Sequence, residues 1–247
     1  MNDNDWIHSN CWLACFDILG FKELVSFQDG ESLKAEEIKY KYEEAIKHLE
    51  NSDKFSYEKG DIDYCWFSDT FLMFTRDATQ KSCFIIECAV KAFIYDCIHS
   101  HIPLRGAISV GNFTRSKDNR VFMGEAFCEA FEYAEDQDWL GLIVTPSAIT
   151  KAKSFELNPI ELDHNFIYLK STPLNKTKKE SYNSSEQNPM RKYSDQNVMA
   201  YRLDNGAANF ESPLLSMLKD MKSQAPVDCQ GKYERTIKFI EKHYKWI

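Results

Sequence analysis

Six apolar residues in a row, CWLACF at 11–16, run straight into a lone carboxylate, Asp17, and then through ILGF to a turn at Gly20. A short apolar run bounded by turn residues is the pattern of a buried strand, so the chain must build a sheet and cover it. Two further runs, 62–67 and 71–75, flank Ser68, Asp69 and Thr70 and predict a β-hairpin with a second carboxylate at its tip. Each of these acids stands alone in strand sequence, at a strand end and beside a turn.

Helices to cover such a sheet are also legible. Ile38, Tyr42, Ala45 and Leu49 recur every three or four residues and predict an amphipathic helix over 36–50. Asp77 and Gln80 resemble a capping box opening an apolar helix over 82–99, which ends before Pro103. The HSH triplet at 99–101 then reads as that helix's C-terminus rather than a metal pair. Strands are expected at 104–110 and 121–123 around the polar turn TRSKDNR, and at 140–144, 166–170 and 198–203. Between the first and second of these sets, 125–136 carries a stripe of Ala126, Ala130 and Ala134 that suits a closely packed helix. Residues 171–197 contain five basic and three acidic side chains and few apolar ones, which predicts a flexible polar insertion. Helices are expected over 213–223 and 232–245, separated by QAPVDCQG. The division that follows is a domain over 1–205 and a C-terminal helical extension over 206–247.

The 247 residues, 43% hydrophobic and 28% charged, are those of a globular chain with a sizeable core. The longest stretch without Asp, Glu, Lys or Arg is 12 residues, 139–150, well short of a membrane span. The N-terminus MNDNDWIHSNCW has no basic start or long apolar stretch, so a cytoplasmic location is expected. A net charge of −8 argues against a broad surface for nucleic acid and leaves room for a local basic pocket. The Lys-rich KTKK at 176–179 lacks interleaved aromatics and reads as solvated loop. Eight cysteines without a CxxC, and six scattered histidines, read as buried free thiols with no zinc site.

On residue types alone, Asp17 and Asp69 are either turn and cap residues or a pair of hard oxygen ligands converging on divalent cations that bridge a nucleotide's phosphates. Resemblance bears on that choice. FDILGF at 16–21, FSDTFLMF at 67–74, LRGAISVG at 104–111 and GEAFCEAFEYAE at 124–135 resemble, in order and spacing, the class III nucleotide cyclases, over about residues 11–203. More narrowly the chain resembles the Pycsar cyclases, uridylate or cytidylate cyclases of bacterial anti-phage defence.

The resemblance implies an α+β fold of the class III cyclase, ferredoxin-like type: a mostly antiparallel sheet with packed helices, here with the C-terminal extension added. It implies a site at which Asp17, Asp69 and the carbonyl of Ile18 hold two divalent ions, Mn2+ or Mg2+. Phe16, Ile18, Leu19, Gly20 and Phe21 would form the phosphate-facing turn, with Tyr64 and Cys65 near the base. Strand alternation puts Tyr64 on the face opposite Asp69 and favours a core role for it. The implied reaction turns a nucleoside triphosphate into a 3′,5′-cyclic nucleotide and pyrophosphate, in a homodimer whose sites lie between subunits, with a downstream effector reading the product.

Several positions depart from the family pattern. The purine-reading Lys and Asp fall at Cys65 and Val121, neither of which can read a purine edge, so a pyrimidine substrate is expected, UTP first and CTP as its rival. The ribose-positioning Asn and transition-state Arg fall at Cys128 and Glu132, and an acid cannot stabilise charge growing on a phosphoryl group. Either another cation replaces the Arg, with Arg105 and Lys170 the leading candidates, or the domain is a nucleotide-binding sensor without turnover. Arg115 and Arg120 are further candidates whose default reading is solvated surface charge.

Overall fold

The computed structural model describes residues 6–21, 60–118, 120–155, 166–169, 198–201 and 213–243, together with Glu36, Lys39, Tyr40, Glu43, Glu44 and Lys47, which are helical. The rest of the helix expected over 36–50, and the 171–197 insertion, lie outside the described residues.

The strands are β1 (Trp6–Ile18), β2 (Ile62–Phe67), β3 (Thr70–Thr75), β4 (Leu104–Ser116), β5 (Phe122–Met123), β6 (Gly141–Val144), β7 (Phe166–Leu169) and β8 (Val198–Tyr201). The helices are α1 (Gln80–His99), α2 (Glu125–Glu135), α3 (Pro146–Lys153), α4 (Pro213–Gln224) and α5 (Val227–His243). One eight-stranded sheet runs β2-β3-β1-β4-β6-β8-β7, with β5 paired to β4 off that path. Every pairing is antiparallel except β4 with β6. This is the α+β, mostly antiparallel architecture expected from the sequence.

Alternation along β1 sorts its residues onto two faces. Trp12, Ala14, Phe16 and Ile18 join the principal core with Phe71, Met73, α1, α3, α4 and α5. Cys11, Leu13 and Cys15 join a second cluster with Leu72, Phe74, Phe113, Ala126 and Ala130 under the first turns of α2. Asp17, next in the odd series, therefore stands on the α2 face at the end of β1. The small-residue stripe of α2 lets it lie close on the sheet, where Ser109 Oγ donates to the Ala126 carbonyl at 2.6 Å.

Several boundaries differ from the sequence reading. β1 begins at Trp6, because its polar first residues pair along the full length of the 13-residue β4. α1 is capped by Thr79, whose hydroxyl accepts from Ser82 N at 3.3 Å; Asp77 stands before the cap and accepts from Thr79 N at 3.0 Å. α3 was not anticipated, although Pro146 at its first turn is a start signal. The expected breaker interrupts the helices only at Ala225 and Pro226, and α5 runs through Gly231. Of the cysteines, all free, Cys11, Cys15, Cys83, Cys97 and Cys229 are buried as expected, whereas Cys65 and Cys88 are half-buried and Cys128 is exposed.

The C-terminal helices share the principal core: Leu218, Tyr233, Phe239 and Ile240 belong to it, and the Phe239 ring meets Trp139 edge-on at 4.5 Å. Among the described residues, no helix is long and apolar enough to cross a membrane.

Candidate active site at the end of strands β1 and β3

β1 lies between β3 and β4, and the register sets Asp17 opposite Thr70 on one side and Arg105 on the other. Asp69 is the second residue of the two-residue turn between β2 and β3, one position before Thr70. Ser68, the first, has a positive φ of 54°, an uncommon conformation for a residue other than glycine that matches the twist of a tight hairpin. The Ile18 amide donates to the Asp69 carbonyl at 3.1 Å, so the hairpin tip is fastened to the end of β1. The two acids thus come together, and the Asp69 charge acts on Asp17.

Asp17 does not stand bare. Arg105 Nε donates to its Oδ2 at 2.6 Å, with the two side chains only 17% and 14% exposed. Arg105 Nη1 donates to the carbonyls of Glu135, the last residue of α2, at 2.6 Å and of Gln137 at 2.9 Å. Gln137, itself buried, donates to the carbonyls of Gly106 and Tyr133 and accepts from Trp139 Nε1 at 2.9 Å. The Asp17 carboxyl is held above its ordinary value, chiefly by burial; Arg105 pulls it down, and Asp69 and Glu135 push it up again. One Asp17 oxygen remains for another ligand, and so does Nη2 of Arg105, which donates to no group among the described residues.

The turn after β1 has the expected form. Leu19 N donates to the Pro103 carbonyl at 2.9 Å, and Gly20 has a φ of 71°, which glycine adopts without strain. Phe16, Ile18 and Leu19 are almost wholly buried, and Phe21 packs on the same core. Their side chains are committed to packing, so only backbone groups of this turn are available to a ligand.

The remaining candidates are placed as follows. Tyr64 stacks on Phe71 at 6.1 Å, on the face away from Asp17, as alternation predicts. Cys65 lies on the Asp17 face, and burial pushes its thiol up to about 12. Val121 is 43% exposed. Lys170 lies outside the described residues. Cys128 and Glu132 line an open groove of about 1020 Å³ between α2 and α3, with Glu125, Glu129 and Lys151. Glu132 is held above its ordinary value by burial and by the charges of Asp136 and Glu129. Arg120 is a solvated charge, 83% exposed beside Asp118. Arg115 is not: its side chain is 17% exposed and donates from Nη2 to Asp63 Oδ2 at 2.8 Å. The reading of Arg115 as surface charge missed this, because Asp63 lies on β2, 52 residues away in the chain, and Arg115 on β4.

Among the described residues, no group of three or more His, Cys, Asp or Glu side chains surrounds a metal-sized space. Asp17 and Asp69 nevertheless form a hard oxygen donor pair of the kind that suits Mg2+ or Mn2+ when substrate phosphates and water complete the coordination. The residues present therefore fit the group that the sequence resemblance implies.

No protein-family model and no curated protein matches the sequence. Among solved structures, the catalytic core of a rhodopsin-guanylyl cyclase with converted specificity, in complex with ATPαS, superposes with a TM-score of 0.50 at 10% identity, covering 80% of this chain and 97% of that one. A guanylyl cyclase domain of the RhoGC fusion protein from Blastocladiella emersonii gives 0.48 at 12% identity, covering 80% and 96%. An adenylate/guanylate cyclase/hydrolase from Silicibacter pomeroyi gives 0.44 at 13% identity, covering 81% and 100%. The fold is that of the class III nucleotide cyclase catalytic domains, an assignment carried by the first of these superpositions.

Proposed function

We propose that this protein is a metal-dependent nucleotide cyclase that converts UTP to 3′,5′-cyclic UMP and pyrophosphate, with CTP the rival substrate. The observation that carries the reading is the meeting of Asp17 and Asp69 at one end of neighbouring strands on this fold. In the reaction the substrate's 3′-oxygen bonds to the α-phosphorus, the bond from that phosphorus to the bridging oxygen breaks, and pyrophosphate leaves; the hydroxyl proton passes to water. Divalent ions held by Asp17, Asp69 and the Ile18 carbonyl would polarise the 3′-hydroxyl and neutralise the triphosphate.

This chain's own residues supply position and charge. Arg105 fixes the orientation of the Asp17 carboxylate, and its Nη2, which donates to no group among the described residues, would suit a phosphoryl oxygen. Anchored at three points, Arg105 acts in place and does not swing in. The backbone amides of Gly20 and Phe21 offer the phosphate cradle, that of Leu19 being held by the Pro103 carbonyl. Lys170 is proposed as a second triphosphate contact, and a homodimer, a cytoplasmic location, a defence role and a downstream effector follow from the resemblance alone.

A specific observation favours a second reading. The groove beside Cys128 and Glu132 carries three carboxylates against one lysine, which is the wrong sign for a phosphoryl group. A sensor that binds metal and nucleotide without turnover fits that groove.

The two readings separate in one experiment. The protein is incubated with UTP, CTP, ATP and GTP in turn with Mn2+, Asp69→Ala serves as control, and products are identified by mass spectrometry. Cyclic UMP absent from the control establishes the cyclase and its base. Metal-dependent binding of nucleotide with no cyclic product from any of the four overturns the cyclase in favour of the sensor.

A further inference from the structure

The second oxygen of Asp17 is open because Arg105 holds the first with a single prong. In a guanidinium, Nε and Nη2 lie side by side and fit the two oxygens of one carboxylate, a pairing stronger than a single bond. Arg105 stops short of it: Nε donates to Oδ2 at 2.6 Å, and Nη2 donates to no group among the described residues. Both side chains are mostly buried, where each further hydrogen bond of a completed fork would count for more than in water.

The restraint lies on Nη1, which donates to the carbonyls of Glu135 at 2.6 Å and Gln137 at 2.9 Å. A guanidinium is a rigid plane, so bonds at two of its corners set its tilt against Asp17. The carbonyls belong to the end of α2 and the turn that follows, and the Gln137 side chain pins that turn. Its Nε2 donates to the Gly106 carbonyl at 2.7 Å, one residue from Arg105 on β4, and to the Tyr133 carbonyl at 3.1 Å in the last turn of α2. Its Oε1 accepts from Trp139 Nε1 at 2.9 Å. Gln137 is 1% exposed, and a buried amide is costly unless it is paired. This one is paired with the backbone on either side of the two carbonyls that hold Arg105.

We infer that Gln137 is a positioning residue of the site: it holds the turn after α2 so that Arg105 pairs with one oxygen of Asp17 and leaves the other to a divalent cation. The inference rests on the metal-binding reading of Asp17 and Asp69 and deepens it, adding a residue that acts only through Arg105. With the turn released, Nη1 loses its anchors and the guanidinium tilts until Nη2 closes on the second oxygen. A cation then competes with a fork where it had met an open donor. Trp139 works in the same direction, because an indole N–H can only donate and so fixes which way round the Gln137 amide sits.

The test is titration of the whole chain with Mn2+ alone, followed by loss of the free ion's EPR signal. Asp17→Asn identifies the ions held at this site, and cyclic product is measured separately. Gln137→Met keeps the length of the side chain and removes its hydrogen bonds; it is expected to bind Mn2+ about ten- to a hundredfold more weakly, as on losing a group that orients a metal ligand. Arg105→Lys supplies the comparison, since an ammonium keeps the charge and cannot fork. In that background Gln137→Met is expected to change Mn2+ affinity by less than about twofold, because the two residues act in series. A general loosening of the fold would weaken binding equally in both backgrounds. Trp139→Phe, expected to weaken binding by a few fold and compared in the same two backgrounds, carries the test if Gln137→Met fails to melt cooperatively. Unchanged Mn2+ affinity, or an equal loss in both backgrounds, overturns the inference, and the cyclase reading survives that result if the wild type still forms cyclic product. A loss confined to the chain with Arg105, with no cyclic product from any nucleotide, upholds the inference and overturns the cyclase. A wild type holding no Mn2+ that Asp17→Asn removes overturns both.

Discussion

Arg105 commits its Nε and both Nη1 hydrogens to fixed partners, one on Asp17 and two on carbonyls at the C-terminal end of α2 and just after it. Removing it leaves a mostly buried carboxylate without its counter-charge. Arg105→Met should therefore cost about 3 kcal/mol in urea unfolding, and adding Asp17→Asn should return part of that loss, because no unpaired charge is then left behind. A loss in the double variant equal to the sum of the single ones would show that the pair does not couple. Gly124 carries a different constraint: its φ is 134°, and a Cβ there would run into the Asn112 carbonyl. Gly124→Ala is expected to cost about 1–3 kcal/mol, read as a lowered melting point. At this scale the sequence was informative wherever one residue contradicted its neighbours, as Asp17 does among CWLACF and Gly20 does at the strand's end. It was silent on Asp63 with Arg115, 52 residues apart in the chain, and on the contacts of Gln137 with Gly106 and Arg105, 31 and 32 residues away.

α1 begins in a cluster of side chains with no counterpart at the start of α2, where glycine is the cap. Asp77 Oδ1 accepts from the Thr79 amide at 3.0 Å, from the Thr79 hydroxyl at 2.7 Å and from the Ser82 hydroxyl at 2.5 Å. Those donors favour the charged carboxylate and hold Asp77 below the ordinary 3.8. A carboxyl lowered in the folded state adds stability above its unfolded value and loses it as pH falls through the folded one. Asp77→Ala should thus cost about 1 kcal/mol near neutral pH, and the gap to wild type should close below about pH 3.8. A gap independent of pH would assign the cost to packing instead. Apolar periodicity made α1, α2 and the β2–β3 hairpin legible, whereas α3 escaped because eight residues give it too little periodicity. The start of β1 escaped for another reason: the polar His8, Ser9 and Asn10 break the apolar run, and only a partner strand of equal length draws them into the sheet.

The C-terminal helices complete the molecule's core as well as extending its chain. Thr236 Oγ1 accepts from Leu140 N at 2.7 Å, at the entrance to β6, and Arg235 Nε donates to the Asp138 carbonyl at 2.6 Å. The end of α2, the start of β6 and the middle of α5 are therefore one structure around Trp139. Phe239→Ala should cost about 3 kcal/mol or more and change Trp fluorescence in the same transition that melts the sheet. Two separate transitions would show that α5 unfolds by itself.

The Arg105 contact also bears on how such a protein is made and handled. A pair of buried acids held only by cations would leave the chain to unfold whenever those cations were withdrawn, as structural zinc modules do. Here Arg105 already balances Asp17, so folding is finished before any ion arrives. On the proposed cyclase reading, treatment with a chelator should abolish product formation and leave the melting curve where it was.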